Sequence, residues 1–349
     1  MKIKYILFVF FSLVFCGLAI YTNYERPRIL ILHSYAPDYF WCRDVDIGLR
    51  RVLSNQSFYS IQWHYMDTKK HPEPKALRNA GVIARRVIDM VEPTILIAID
   101  DDAQKYAAKY YINHPKISIV FCGVNADLTT YGYEKADNIT GILERLPLQA
   151  VQETIMLLNT KKKEKLRISH LSDSSTTVRL DDRFLHQYNW GSVIEVLPSR
   201  LVSTFDEWKA AVAALNREAD YIIISNYRKI YKTAAAGSKL ISPKEIIEWT
   251  MKNATVPVIG VNSFVAEDGA HLAISTSPYE QGEVAARLAL RLLEGKVKAK
   301  DIPIKQTKQF IVNMSRRGKE FSSLPTAYEN FARYADKYSE DKLLEDGKN

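Results

Sequence analysis

The feature that most constrains this chain is a unit that recurs along it: an apolar run, a polar turn, then a helix with one apolar face. Arg28 to His33, RILILH, is a continuous apolar run bounded by polar residues, as in a strand buried on both faces. A helix pattern follows from about Trp41 to Leu53, and Ser60 to Tyr65 is the next strand. Pro72 and Pro74 precede a helix reaching about Val91, with Val82, Ile83, Val87 and Met90 at helical spacing. A strand at Thr94 to Ile99, a helix from Asp101 to Ile112 and a strand at Ile117 to Cys122 complete the first series.

The segment Asn138 to Pro147, NITGILERLP, reads as a link, and beyond it the unit resumes. Helices are expected at Leu148 to Leu158 and Thr176 to Tyr188, and strands at Leu166 to Leu171, Val193 to Leu197, Asp220 to Ser225 and Val256 to Val261. Thr204 with Glu207 forms a capping box for a helix from Phe205, and Ser242-Pro243-Lys244-Glu245 opens another. The chain then turns through Glu267-Asp268-Gly269 to a short strand at His271 to Ser275. Ser277 to Glu280 opens a helix to about Leu293, and Ile302 to Asn313 reads as a final crossing strand. Strands alternating with helices imply parallel sheets and right-handed crossovers. The expected fold is α/β, with two doubly wound Rossmann-like lobes whose parallel sheets are joined by about three crossings. Those crossings are expected near 143–147, 262–270 and 296–303. Lobe 1 is expected over 24–145 plus 263–297, and lobe 2 over 146–262 plus 298–335, with 336–349 a charged tail.

The N-terminus carries an export signal. Lys2 and Lys4 precede an apolar run from Tyr5 to Ile20. Gly17-Leu18-Ala19 offers small residues for cleavage, while the run is also close to the ~17–25 residues of a membrane anchor. Residues 1–23 are therefore either a signal peptide or an anchor through 5–22, and the expected location is periplasmic or otherwise extracytoplasmic. Cys42 and Cys122 would remain after cleavage, as one bridge or two thiols, with no disulfide framework. The net charge of +8 is spread without a basic helix, so no nucleic-acid partner is expected, and membrane contact only through the N-terminal segment.

The runs ILILHSYAPDYFWCRDVDIGLRR, TILIAIDDDAQKYAAKYY, VFCGVN, NITGILERLP and DIPIKQTKQFIVN, in this order, resemble the ABC transporter substrate-binding family of tryptophan/tyrosine type. The resemblance runs from about Arg28 to about Leu324. It implies the type I periplasmic binding fold and an exported receptor that closes two lobes over a small molecule. Members that bind aromatic amino acids typically carry a Thr-Pro-Ala-like turn after the third strand. Here that turn reads Asp100-Asp101-Asp102-Ala103, which resembles an acidic-turn subgroup of solute receptors, some linked to signalling proteins.

In a parallel sheet the residues just after each strand line the pocket. In lobe 1 these are Ser34, Tyr35 and Trp41, then Asp100, Asp101 and Asp102, then Gly123 and Asn125. In lobe 2 they are Asp173, Ser174, Ser175 and Thr176, then Asn226 and Tyr227, then Asn262. The three aspartates can receive an ammonium group, or can serve only the helix dipole. The hydroxyl-rich helix start at Ser174 to Thr176 can hold a carboxylate or phosphate oxygen, or can simply cap. Tyr35, Trp41 and Tyr227 can stack on an apolar or cationic part of a ligand, or can pack. His33 reads as a satisfied core histidine. The histidines show no zinc spacing, and no catalytic signature, P-loop or dinucleotide fingerprint occurs.

No catalytic residue, metal or cofactor is therefore expected. The leading reading is a solute-binding protein that delivers a small polar or zwitterionic, amino-acid-like molecule to an ABC transporter permease. The alternative is a receptor of the same fold that reports to a membrane sensor protein, and an enzyme on this scaffold ranks last.

Overall fold

A computed structural model describes residues 26–295 and 297–314, with 5, 8, 10–15, 324, 328, 333 and 334 besides. The expected export segment and the expected charged tail fall largely or wholly outside the described residues. Among those described, 10–15 are helical with Phe10 and Phe11 exposed, and no helix is long and apolar enough to cross a membrane.

The chain divides into two units. Unit 1 comprises 1–143 and 278–305, and unit 2 comprises 144–277 and 306–349. In unit 1, β1 (Arg28–His33), β2 (Ser60–Tyr65), β3 (Ile95–Ile99), β4 (Ser118–Val124) and β5 (Ile139–Leu143) pair in parallel in the order β5-β4-β3-β1-β2, with β12 (Lys305–Gln306) beyond β5. Helix α1 (Phe40–Leu53) and helix α9 (Pro278–Leu293) share one core with Ile29, Ile31, Ile97 and Val120. Helix α2 (Pro74–Val91) and helix α3 (Asp100–Tyr106) share the other with Leu30, Leu32 and Leu96. Alternate residues of β1 thus feed opposite cores, which is why the run carries no polar alternation.

The link NITGILERLP turns out to contain a buried strand. Asn138 donates to the carbonyls of Tyr111 and Ile117, and the buried Thr140 donates to the carbonyl of Ile302. A Cβ on Gly141 would stand 2.3 Å from the Phe121 carbonyl oxygen, so glycine is needed for β5 to lie against β4.

Unit 2 repeats the order. β6 (Leu166–Asp173), β7 (Ile194–Val196), β9 (Tyr221–Ile224), β10 (Val258–Gly260) and β11 (Leu272–Thr276) run β7-β6-β9-β10-β11, with the short β8 (Arg200–Val202) also on β6. Beyond β11 lie β13 (Phe310–Met314), which is antiparallel to it, and β14 (Arg333–Tyr334). Helices α4 (Leu148–Leu158) and α5 (Thr176–Gln187) cover one face, and α6 (Phe205–Glu218), α7 (Pro243–Asn253) and the short α8 (Ser263–Glu267) the other.

Three expectations need correction. The sheets are mostly parallel, because β13 returns beside β11 as an edge strand. Residues 263–277 belong to unit 2, since β11 pairs with β10 and β13, and 298–305 belong to unit 1. The Thr204–Glu207 capping box forms, whereas the Ser242 hydroxyl makes no capping hydrogen bond.

Candidate functional site

Both units have the strand order 2-1-3-4-5, which reverses direction between the first and third strands. In such sheets ligands bind at that switch point, beyond the carboxyl ends of the strands. In unit 1 the switch lies between β1 and β3, so Ser34 and Tyr35 meet Asp100 to Asp102 there. In unit 2 it lies between β6 and β9, so Asp173 and Ser174 meet Asn226 and Tyr227.

Several of these residues are committed inside unit 1. Ser34 is wholly buried, donates to the Ile99 carbonyl at 2.7 Å and accepts from the Ala103 N–H at 2.8 Å, capping α3 from the neighbouring strand. Asp101 accepts from the Asn125 and Ala126 N–H groups at 3.3 and 3.2 Å and from the Tyr131 hydroxyl at 2.6 Å. Burial pushes its carboxyl up, and those donors pull against it. The Gly123 N–H donates to Gln281 at 2.8 Å, and Gly123 has a φ of +67°, as the close approach to Asp100 requires. Asp100 is buried with a φ of +66°, a backbone state that a non-glycine residue rarely adopts.

Two groups are uncommitted. The Asp102 carboxylate is partly buried and has no hydrogen-bond partner among the described residues. The Trp41 indole N–H is buried and likewise has no acceptor. Tyr35 is partly buried, and its hydroxyl is pushed well up, first by burial and then by Asp100, Asp102 and Asp101.

In unit 2, Asp173 is wholly buried and holds the Ser175 and Lys229 N–H groups at 3.0 and 3.1 Å. Ser174 pairs with Ser203 at 2.7 Å. Ser175 stands at the N-cap of α5 but makes no side-chain capping bond, and Thr176 is the first residue of that helix. Asn226 accepts from the Tyr227 and Arg228 N–H groups, and Asn262 donates to the Ser225 carbonyl at 2.9 Å. Tyr227 is 0 % exposed, meets Trp208 and Phe264 edge to face, and donates to Asp268 at 2.6 Å, so its ring is spent on the core.

The structure also reveals that two buried histidines each pair with an aspartate, contacts that the linear pattern hid. His33 on β1 bonds Asp46 on α1 at 2.9 Å, and Asp46 also accepts from Trp63 and Tyr65. His170 on β6 bonds Asp182 on α5 at 2.8 Å. Each unit thus ties its first strand to the following helix with one His–Asp contact. Burial raises both carboxyls, and the hydrogen bonds they accept outweigh it, leaving each below its usual value. His33 fits the expected core role, though its Nδ1 has no partner among the described residues.

His170 Nε2 lies 2.9 Å from Ser225 Oγ, which completes a serine–histidine–aspartate series. His170 and Ser225 are both 0 % exposed, and Ser225 is shared with Ser172 at 3.1 Å. A nucleophile without an exposed face cannot meet a substrate, so this series braces β6 against β9. Beside it, burial pushes Asp181 up to about 7, with Asp182 and Asp173 adding to the shift and Arg145 opposing it. Among the described residues no cluster of His, Cys, Asp or Glu is placed to hold a metal ion. Cys42 and Cys122 are both buried and are not joined in a disulfide.

The family profile described as ABC transporter substrate binding protein matches residues 48–324. The chain belongs to that family. Among solved structures it is similar to the open, ligand-free form of CD0873, a substrate binding protein with adhesive properties from Clostridium difficile. That match has 15% identity and a TM-score of 0.66, over 88% of this chain and 98% of that one. It is also similar to the ABC domain in complex with L-Trp from Streptococcus pneumonia, at 14% identity and a TM-score of 0.57, over 88% and 99%. A third similar structure is AraP, an arabinose binding protein from Geobacillus stearothermophilus, at 12% identity and a TM-score of 0.55, over 83% and 97%. No curated protein sequence matches. At these identities the likeness establishes the type I periplasmic binding fold, and the differing ligands of the neighbours leave the ligand of this chain to its own side chains.

Proposed function

We propose that this chain is an extracytoplasmic solute-binding protein that captures a small zwitterionic, amino-acid-like molecule and delivers it to the permease of an ABC importer. The observation that carries the ligand class is Asp102: a partly buried carboxylate at the unit 1 switch point, without a hydrogen-bond partner among the described residues, beside Tyr35. A carboxylate left unpaired there favours a ligand ammonium through a charge-assisted hydrogen bond. In unit 2 the N-terminus of α5 follows β6 at the switch point, and the dipole of that helix favours the anionic end. Closure of the two units over one ligand belongs to the same reading, as does export directed by residues 1–23.

A thermal-shift screen tests the ligand class. Amino acids, their decarboxylated amines, their deaminated acids, purines and neutral sugars are compared. A true ligand at 100 times its Kd adds about 2.7 kcal/mol of stability. Zwitterions are expected to stabilise more than either truncated series, and stabilisation by sugars alone would overturn the reading. For export, residues 1–30 fused to a reporter active only outside the cytoplasm should give signal, and a silent, well-expressed fusion would count against it.

A further inference from the structure

The turn after β2 places Lys69 over the aromatic residues that follow β1. Its Nζ lies 3.7 Å from the centre of the Tyr39 ring and 4.1 Å from that of Tyr35. The two rings meet edge to face at 5.4 Å, so they form a corner that presents two aromatic surfaces to one cation. The acidic turn that opens α3 bears on the Tyr35 hydroxyl. Two ring faces around one ammonium are surroundings that select a cation, and nearby carboxylates add to that preference. Lys69 is exposed, so it is not a core strut, and the next residue, Lys70, is held elsewhere by Asp38 at 2.9 Å.

We propose that the Tyr35–Tyr39 corner beside Asp102 is the subsite for the ligand's ammonium group, and that Lys69 is a built-in competitor whose own ammonium holds the corner until the ligand displaces it. This rests on the reading of an amino-acid-like ligand and adds a residue that sets its affinity. A ligand with an ammonium alone must displace Lys69 for little net gain. A ligand also anchored at a second, anionic end can complete the exchange. Lys69 would thereby discriminate against simple amines.

Binding of tyramine, a primary ammonium on an aromatic stem, is measured calorimetrically on the full chain. Lys69→Met keeps an apolar stem and removes the competing charge. One exposed aromatic contact of this kind changes an affinity about two- to fivefold, so the two together should tighten tyramine binding by about fourfold to about 25-fold. Lys69→Arg should stay near the wild type. Lys70→Met, which removes a neighbouring charge from Asp38 and not from the rings, should change affinity less than about twofold, an exposed pair being worth little. Tyr39→Leu should remove the gain from Lys69→Met. Weaker binding in Lys69→Met, or an equal gain in Lys70→Met, would overturn the proposal. If Lys69→Met changes nothing while Asp102→Asn still weakens tyramine, the competitor is disproved and the ligand reading stands. If tyramine binds neither protein, the competitor proposal fails, and the zwitterion screen decides the ligand reading separately. A second measurement does not depend on variant stability. The dimethylated Lys69 NMR signal, identified by its absence in Lys69→Arg, should carry a ring-current shift that tyramine abolishes, and an unshifted signal would also overturn the proposal.

Discussion

At the scale of single residues, neighbours that look equivalent in the sequence are given different work. Asp101 and Asp102 are adjacent, yet Asp101 holds two backbone N–H groups and a tyrosine hydroxyl, whereas Asp102 holds none among the described residues. Asp101→Asn should lower the stability of unit 1 by about 1–3 kcal/mol, because a buried acceptor set is left mismatched. Asp102→Asn should leave stability within about 0.5 kcal/mol. It should instead weaken a zwitterionic ligand by about 1.5–3 kcal/mol. Denaturant melts and titration of the same two proteins separate these effects, and the reverse assignment would reject the site. Asp181 makes a second case. Its folded-state value of about 7 lies above that of an unfolded aspartate, so the unfolded chain releases the proton first. Stability contributed at this position is therefore lost as pH rises from about 4 to about 7 and stays lost above that. Asp181→Asn should raise the melting temperature at pH 8 and change it little at pH 4, and an equal shift at both would refute the assignment. The candidate loops were legible in the sequence because they follow strands. Which residue in each loop is spent internally was not, since partners such as Tyr131 and Lys229 lie far along the chain. The His–Asp contacts were hidden for the same reason, as a histidine at a strand end shows no partner in one dimension.

At the scale of elements, periodicity predicted most strands and helices because each buried run is short and each helix carries one apolar face. It failed where tertiary contact decides. ITGIL looked like a link and is a fully buried strand, and β8 and α8 are too short to carry a period. The crossing of α1 with α9 was equally silent, since two helical glycines suggest only weak helix. A Cβ on Gly282 would stand 2.1 Å from the Val45 carbonyl oxygen and 2.7 Å from the Leu49 nitrogen, and one on Gly48 would stand 2.3 Å from the Tyr279 carbonyl oxygen. These are backbone atoms of well-packed helices and cannot step aside. Gly282→Ala should therefore destabilise unit 1 by about 1–3 kcal/mol despite alanine's better helix propensity. A stabilised Gly282→Ala protein in a chemical melt would show that the two helices are not packed this closely.

At the scale of the whole molecule, each hydrophobic cluster falls inside one unit. The cores around Leu96 and Ile97 belong to unit 1, and those around Ile223 and Trp208 to unit 2. The chain passes between units after 143, 277 and 305, so neither unit is a single stretch of sequence. Each nevertheless owns a mostly parallel sheet covered on both faces, which is what a cooperative folding unit needs. Without ligand, calorimetry of the chain should resolve two transitions, or one broader than two-state behaviour allows. Gly282→Ala should lower the unit 1 transition and leave the other in place. A saturating ligand that binds groups from both units should raise both transitions and draw them together, since its stabilisation is lost when either unit unfolds. A ligand held by unit 1 alone would raise only the transition that Gly282→Ala lowers, so the same pair of scans decides whether Asp102 and the start of α5 serve one molecule. A single two-state transition shifted as a whole by Gly282→Ala would instead show the units to be one folding unit, and the argument from separate cores would fail.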